Sequence, residues 1–482
     1  VNPYRPLTKF IQELTGIAQG EVDTAPSFSS VAPRLDSFIG DCPIVGQNIA
    51  FDLGFLAKRG LGLSNPRYDT RELASILLPR LIEYALASLA RSLGVGHPNP
   101  HRALADAQVT HQVFHALKGL ALELDEGILA EIHRLHAGAQ GPLAPFFYRL
   151  QEARSRARGL SPAAVGLGGL DMDALGKRLA PSPVLRLRKE GEEHPLDERT
   201  VEDFFQEGGP LARVLDGYRY RPQQVEMALA VARALNQKHN LVVEGGTGVG
   251  KSLAYLLPAM LFALGNGARV VVSTNTINLQ EQLISKDLPV LSRALEGAYP
   301  HLSGARFSLL KGRDNYLCLR RWSHLRGESS TLSSEEACLA SKVLVWLQTT
   351  STGDRSELNL ASRDLSLWGR ISAAGAVHCP PRREEACFLR AARDGAQGAH
   401  LVVVNHALLL RDLVEGGNIL PDYDYLIIDE AHHLGEEATR QLGSRLSQGM
   451  VGEYLERLAG GRGIYREVRA LLGQLGASPR LA

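Results

Sequence analysis

Net charge is almost absent from this chain: 53 Lys and Arg against 52 Asp and Glu leave +1 over 482 residues. Overall charge therefore gives no footing for nucleic-acid binding, which must rest on local patches. Cysteine is sparse as well. Five cysteines, odd in number and widely spread, exclude the reading of a secreted disulfide scaffold. No apolar run has membrane length: residues 253–264 make about twelve, contain Pro258, and read as a buried helix. No signal peptide or internal repeat is visible, so the cytoplasm is the expected location. A hydrophobic content of 44% excludes general disorder, and the length suggests about three domains. The chain opens at Val1 without an initiator Met, and both ends read as cut.

Two segments carry chemistry. Residues 244–252 read EGGTGVGKS after the apolar run Leu241, Val242, Val243; residues 429–432 read DEAH after Leu426, Ile427, Ile428. A strand, a glycine loop ending in Lys-Ser and then a helix make a phosphate cradle, and a strand ending in Asp-Glu is its metal-holding partner. Gly245, Gly248 and Gly250, with Thr247, let backbone N–H groups turn toward phosphates at the positive end of the next helix. Lys251 is placed to reach the outer phosphates. The Ser252 hydroxyl and the Asp429 carboxylate are the candidate Mg²⁺ ligands, Glu430 the residue that orients or deprotonates the attacking water, and His432 the coupling residue. ATP with Mg²⁺ is the expected cofactor pair. The competing reading is a glycine-rich turn and an unrelated acidic strand end.

One stretch, 306–326, holds six Lys or Arg against one Asp, interleaved with Phe307, Tyr316 and Trp322. Cations beside rings suit a single strand, whose phosphates they follow while the rings stack bases. A solvated basic helix with core aromatics is the alternative.

Composition divides the chain into an α/β region, 1–120; a helix and a linker rich in Pro, Gly and Arg, 121–212; and a motor that begins with RYRPQQ, with Pro222 opening its helix. Lys251 and Asp429 must share one metal ion, yet far more chain separates them than three strand-and-helix units of roughly thirty residues require. With strands placed at 268–274 and 399–406, the surplus is an insertion at about 311–398. The motor lobe then comprises 213–310 and 399–434, and 435–482 reads as helices opening a further insertion. Cys318, Cys338, Cys379 and Cys387 all fall in the first insertion.

Residues 218–482 resemble the first motor lobe of the DinG-type and XPD-like superfamily 2 DNA helicases. Besides GGTGVGKS and DEAH, the matching stretches are RPQQ, STNTINLQEQL, KGRDNYLC and CFLRAARDGAQGAHLVVVNHALLL. The resemblance implies a RecA-like lobe in which Gln223 reads the adenine, and in which Thr274, Asn275, Thr276 and Gln280 touch the backbone of single-stranded DNA. It also implies ATP-driven translocation from 5′ to 3′ on single-stranded or tailed duplex DNA. In that family the insertion carries a 4Fe-4S iron-sulfur cluster on four thiolates. Cys318, Cys379 and Cys387 match three of the ligand positions. For the fourth, either Cys338 or His378 substitutes or the site is degenerate; zinc is a minor alternative, and Cys338, in a helical run, also reads as a structural thiol.

The N-terminal region resembles the DnaQ-like 3′ to 5′ exonucleases of the ribonuclease H-like fold, through LTGI, VGQNIAFDLGFL, DTRELA and HRALADA. In that family two metal ions sit among four carboxylates and a histidine activates water. Asp52 and Asp106 match two of the acids, and His101 matches the base. The other two belong to an Asp-x-Glu that this sequence does not contain at its start, so no cleavage is expected of the chain; helicases of this class also need a second motor lobe whose arginine finger completes the ATP site, so weak nucleotide binding through Lys251 and no unwinding are expected. The resemblances together imply a helicase fused to an exonuclease-like domain, acting in replication or repair. The alternatives are an ATP-gated exonuclease whose motor only feeds a strand, and a DNA-binding module with a degenerate nuclease domain.

Overall fold

The computed structural model of the chain describes residues 1–98, 100, 102–157, 186–187, 191–375, 386–443, 448–459, 465 and 468. It divides into two units, Val1–Leu185 with Lys311–Gln397, and Arg186–Leu310 with Gly398–Ala482.

The second unit is built on a parallel sheet. Its strands are β3 (Val270–Thr274), β4 (Phe307–Leu309), β5 (Leu401–Asn405) and β6 (Tyr425–Ile428), in the spatial order β4-β5-β3-β6. Val270 pairs with both Leu401 and Tyr425, which fixes the register across three strands. The runs VVVST and LVVVN are buried almost throughout, as expected of β-branched strands covered on both faces. The Lys251–Asn266 helix is correspondingly apolar on every side, with Leu256, Met260 and Ala263 all fully buried. It stops at Gly267, whose φ of 57° gives a left-handed cap that glycine adopts freely. Phe204, Phe205, Leu288 and Leu291 complete the core.

One expected strand does not form. Residues 241–243 join no ladder, and Val242 is 97% exposed. β6 bonds to β3 along one edge, and although no described strand covers its other edge, 241–243 forms no ladder with it.

The first unit holds a short parallel pair, β1 (Ile44–Gly46) with β2 (Arg67–Asp69), among helices. Its core draws on both of its chain segments. Leu73, Ile76, Leu129 and Ile132 come from the N-terminal part, and Leu339, Leu344 and the chain's three tryptophans, Trp322, Trp346 and Trp368, come from 311–397. All three indoles are at most 1% exposed. They therefore act as packing groups, which leaves no Trp in the chain for base stacking. The helix Ser334–Trp346 that carries much of this apolar surface opens with a reciprocal cap between Ser333 and Glu336. Among the described residues no helix is long and apolar enough to cross a membrane.

Candidate nucleotide site

Open parallel sheets bind ligands beyond the carboxyl ends of their strands, and the motif residues gather there. The Asp429 N–H donates to the Ser273 carbonyl (2.8 Å), the last tie of β6 to its neighbour. Glu430 then turns away with φ of 53°. A non-glycine residue held there costs of order 1–2 kcal/mol, a strain typical of functional turns. Its carbonyl accepts from the His433 N–H (3.0 Å).

Facing it, the glycine loop enters its helix through Gly248 and Gly250, at φ of 83° and 86°. Gln224 Nε2 donates to the Gly250 carbonyl (2.8 Å), and a Cβ at position 250 would collide with that same nitrogen. Gly250 is thus required twice, by torsion and by the close approach of Gln224. Lys251 Nζ donates to Glu430 Oε1 at 3.1 Å, with both side chains 30% exposed. This contact joins the loop to the acidic strand end across the inserted chain.

Burial, and then the neighbouring Glu430 charge, raise the Asp429 carboxyl above its ordinary range. The Tyr255 hydroxyl is buried and lies against Asp429 and Ser252. The Asp429 carboxylate and the Ser252 hydroxyl, which the Tyr255 phenol adjoins, form an oxygen donor set that fits a hard divalent cation. His432 is 66% exposed, with Nδ1 3.4 Å from Glu430 Oε2. Gln223, Thr247 and Gly248 are exposed, Gly245 is half-buried, and a Cβ on Gly245 would lie 3.2 Å from the Lys251 stem.

The four candidate nucleic-acid residues separate. Thr274 and Gln280 are fully buried with unpartnered side-chain polar atoms. Asn275 is half-buried, and Thr276 is exposed and caps the Ile277–Gln282 helix by accepting from the Leu279 N–H (3.2 Å). In the basic stretch, Tyr316 and Trp322 are core residues; Arg326 lies over Trp322 at 5.1 Å, and Lys311 pairs with the Asp354 carboxylate at 2.6 Å. These rings offer no face to a base, so the core-aromatic reading prevails for this segment.

In the first unit, Asp52 sits exposed on the Ile49–Lys58 helix, its carboxyl raised first by partial burial. Asp106, on the Ala103–Glu123 helix, bonds His97 Nε2 at 2.8 Å. His101 lies outside the described residues, as do Cys379 and His378. Cys318 precedes the Leu319–Gly327 helix and Cys387 precedes the Phe388–Gln397 helix, both half-buried. Cys338 instead donates its thiol proton to Glu72 Oε1 at 2.6 Å, and burial pushes that thiol well up. A thiol held protonated is the opposite of a metal-bound thiolate. Among the described residues, no three His, Cys, Asp or Glu side chains gather to hold a metal ion.

Comparison with known proteins matches two stretches of the chain. Residues 1–114 match the family described as Exonuclease, and residues 223–297 match DEAD/DEAH box helicase. The 3′-5′ exonuclease DinG of Bacillus subtilis is 31% identical over 92% of this chain and 47% of its own length. The ATP-dependent helicase DinG of Mycobacterium tuberculosis is 41% identical over 51% of this chain and 39% of its own length. The chain is similar to the DinG proteins, and it carries an exonuclease domain and a DEAD/DEAH box helicase domain. The 3′-5′ exonuclease DinG of Staphylococcus aureus, 28% identical, aligns over 91% of the chain and 46% of its own length. The chain thus spans less than half the length of these curated relatives.

Several site residues escaped the sequence. In the helicase domain, Gln224 adjoins the expected Gln223 and was hidden by it. Tyr255 sits one helical turn beyond Lys251, a spacing that signals a shared face. The pair formed by Ser273 Oγ and His406 Nδ1 (2.7 Å) stands where two neighbouring strands end, a signal available only once strand order is known. In the exonuclease domain, the Asp69 carboxylate accepts from the N–H groups of Asn48 (3.0 Å), Ile49 (3.1 Å) and Arg71 (2.9 Å). Asp69 caps the helix Thr70–Leu77, and its hold on the turn before the Asp52 helix is a contact with no local signal in the sequence.

Proposed function

We propose that this chain contributes the exonuclease-like domain and the first motor lobe of an ATP-dependent DNA helicase that translocates 5′ to 3′ on single-stranded DNA in repair or replication. The observation that carries the reading is the Lys251–Glu430 contact at the strand ends, where a triphosphate would part the pair and take the ammonium for itself. Asp429 and Ser252 would hold Mg²⁺, which neutralises phosphate charge when bound. Glu430, already turned out of the sheet, would then orient water. Thr276 and Asn275 are the residues of the STNT motif open to a strand. Around β1 and β2, a ribonuclease H-like arrangement would place Asp52 and Asp106 as metal carboxylates and His101 as base.

For the insertion, Cys318, Cys379 and Cys387 are the thiols of an iron-sulfur-type site. The described residues do not assemble its ligand set, and Cys338 is engaged with Glu72, so no step is routed through a cluster.

The test is nucleotide affinity. Lys251→Ala should weaken Mg-ATP binding about 10- to 100-fold, as loss of a charged hydrogen bond of about 1.5–3 kcal/mol predicts. Calorimetric titration showing parental affinity would remove the phosphate role from the loop.

A further inference from the structure

Sequence order assigns 311–397 to the motor it interrupts, but the structure places this segment in the same unit as the exonuclease domain. The seam between them is both apolar and specifically bonded. Leu339 of the inserted Ser334–Trp346 helix lies in one buried cluster with Leu73 and Ile76 of the exonuclease-side Thr70–Leu77 helix. The Glu126–Gly138 helix, which follows the exonuclease-like region in the chain, joins the same seam: Arg134 Nη1 donates to Ser329 Oγ (2.7 Å) and its Nη2 to the Arg326 carbonyl (2.9 Å), while Glu131, 7% exposed, pairs with Arg134 and Arg326. Asn359 Nδ2 donates to the carbonyls of Leu81 (3.0 Å) and Ile82 (2.8 Å). A Cβ at Gly138 would stand 2.6 Å from the Ser329 carbonyl oxygen, so the backbones meet with no room for a side chain. The charge pair that crosses the seam is Arg326 with Glu131 at 3.3 Å, both side chains mostly buried; such a pair is costly unless its geometry is held, which favours a fixed seam.

We propose that the motor's insertion is the positioning partner of the exonuclease domain. The insertion clamps the Thr70–Leu77 helix, and Asp69, the cap of that helix, holds the Asn48–Ile49 turn from which the Asp52 helix begins. The path therefore runs from Cys338 and Leu339 to Glu72 and Leu73, then to Asp69, and then to Asp52. It deepens the exonuclease part of the proposed function, but its test needs no catalysis.

Hydrogen exchange of the full chain, followed by mass spectrometry, reads the proposal directly. Leu339→Ala should raise exchange at least tenfold both in the insertion and across 48–49 and 70–77, with 270–274 unchanged and with Leu339→Met restoring parental protection. Asn359→Ala, which removes two seam bonds without opening a cavity, should raise exchange across 79–82 and 70–77 and serves if Leu339→Ala does not fold. Exchange changes confined to 311–397, or none in 70–77, would overturn the proposal. A chain without nuclease activity would still give either result, so failure of the exonuclease reading is distinguishable from failure of this one.

Discussion

At the scale of single residues, Gly250 and Gly246 make a controlled comparison. Gly250 sits at φ 86° against Gln224, whereas an added Cβ at Gly246 would meet nothing within 4 Å. Gly250→Ala should lower stability by at least about 1–2 kcal/mol and weaken Mg-ATP binding, through backbone strain and displacement of Gln224. Gly246→Ala should change both little. Denaturant midpoints and nucleotide titration of the two variants check this, and equal effects would contradict the geometry of the loop. The glycines of GGTGVGKS were legible from sequence, but the string does not show which of them a neighbour forbids to change. That depended on where Gln224 comes to rest.

At the scale of elements, the Glu126–Gly138 helix holds a buried histidine. His136 is fully buried, packs on Phe147 with ring centroids 5.5 Å apart, and has no partner at either ring nitrogen. Burial, reinforced by His133, pushes its pKa from 6.5 down to about 4. Between those values the unfolded chain binds the extra proton and the folded one does not, so stability is full above about pH 6.5 and falls as pH drops toward 4. The loss reaches about 3 kcal/mol at the acid end. Urea melts across this window should show it, and His136→Phe should remove that component of the acid sensitivity. The run 241–243 makes the opposite case. Because Val242 is exposed and unpaired, Val242→Thr should shift stability by no more than about 0.5 kcal/mol; a larger loss would mean the run belongs to the sheet. Apolar runs located β3, β5 and β6, and the valines of β3 and β5 are buried as strands covered on both faces require, whereas β6 is only half-buried. The runs themselves could not show that the equally apolar 241–243 would find no ladder.

At the scale of the whole chain, each unit has its own buried cluster, one around the three tryptophans and the other around the parallel sheet. Heating should therefore give two unfolding transitions. On the proposed function, Mg-ATP should bind the second unit, raise its transition by RT ln(1 + [L]/Kd), about 2.7 kcal/mol at a hundredfold excess over Kd, and leave the first unmoved. Scanning calorimetry with and without nucleotide tests this. A single transition that moves as one would show that the units unfold together.

The sequence by itself determined which residues are candidates for the chemistry of the proposed motor. EGGTGVGKS and DEAH are local strings whose backbone freedom, charge and metal affinity are properties of the residues themselves, so Lys251, Ser252, Asp429 and Glu430 could be read without coordinates. Tertiary structure alone decided which surfaces the insertion packs against, that Trp322 and Tyr316 are core and not stacking rings, and that Cys338 faces Glu72. Each of these depends on packing between segments hundreds of residues apart, where the favourable burial of apolar surface is non-directional and leaves no local pattern in the chain.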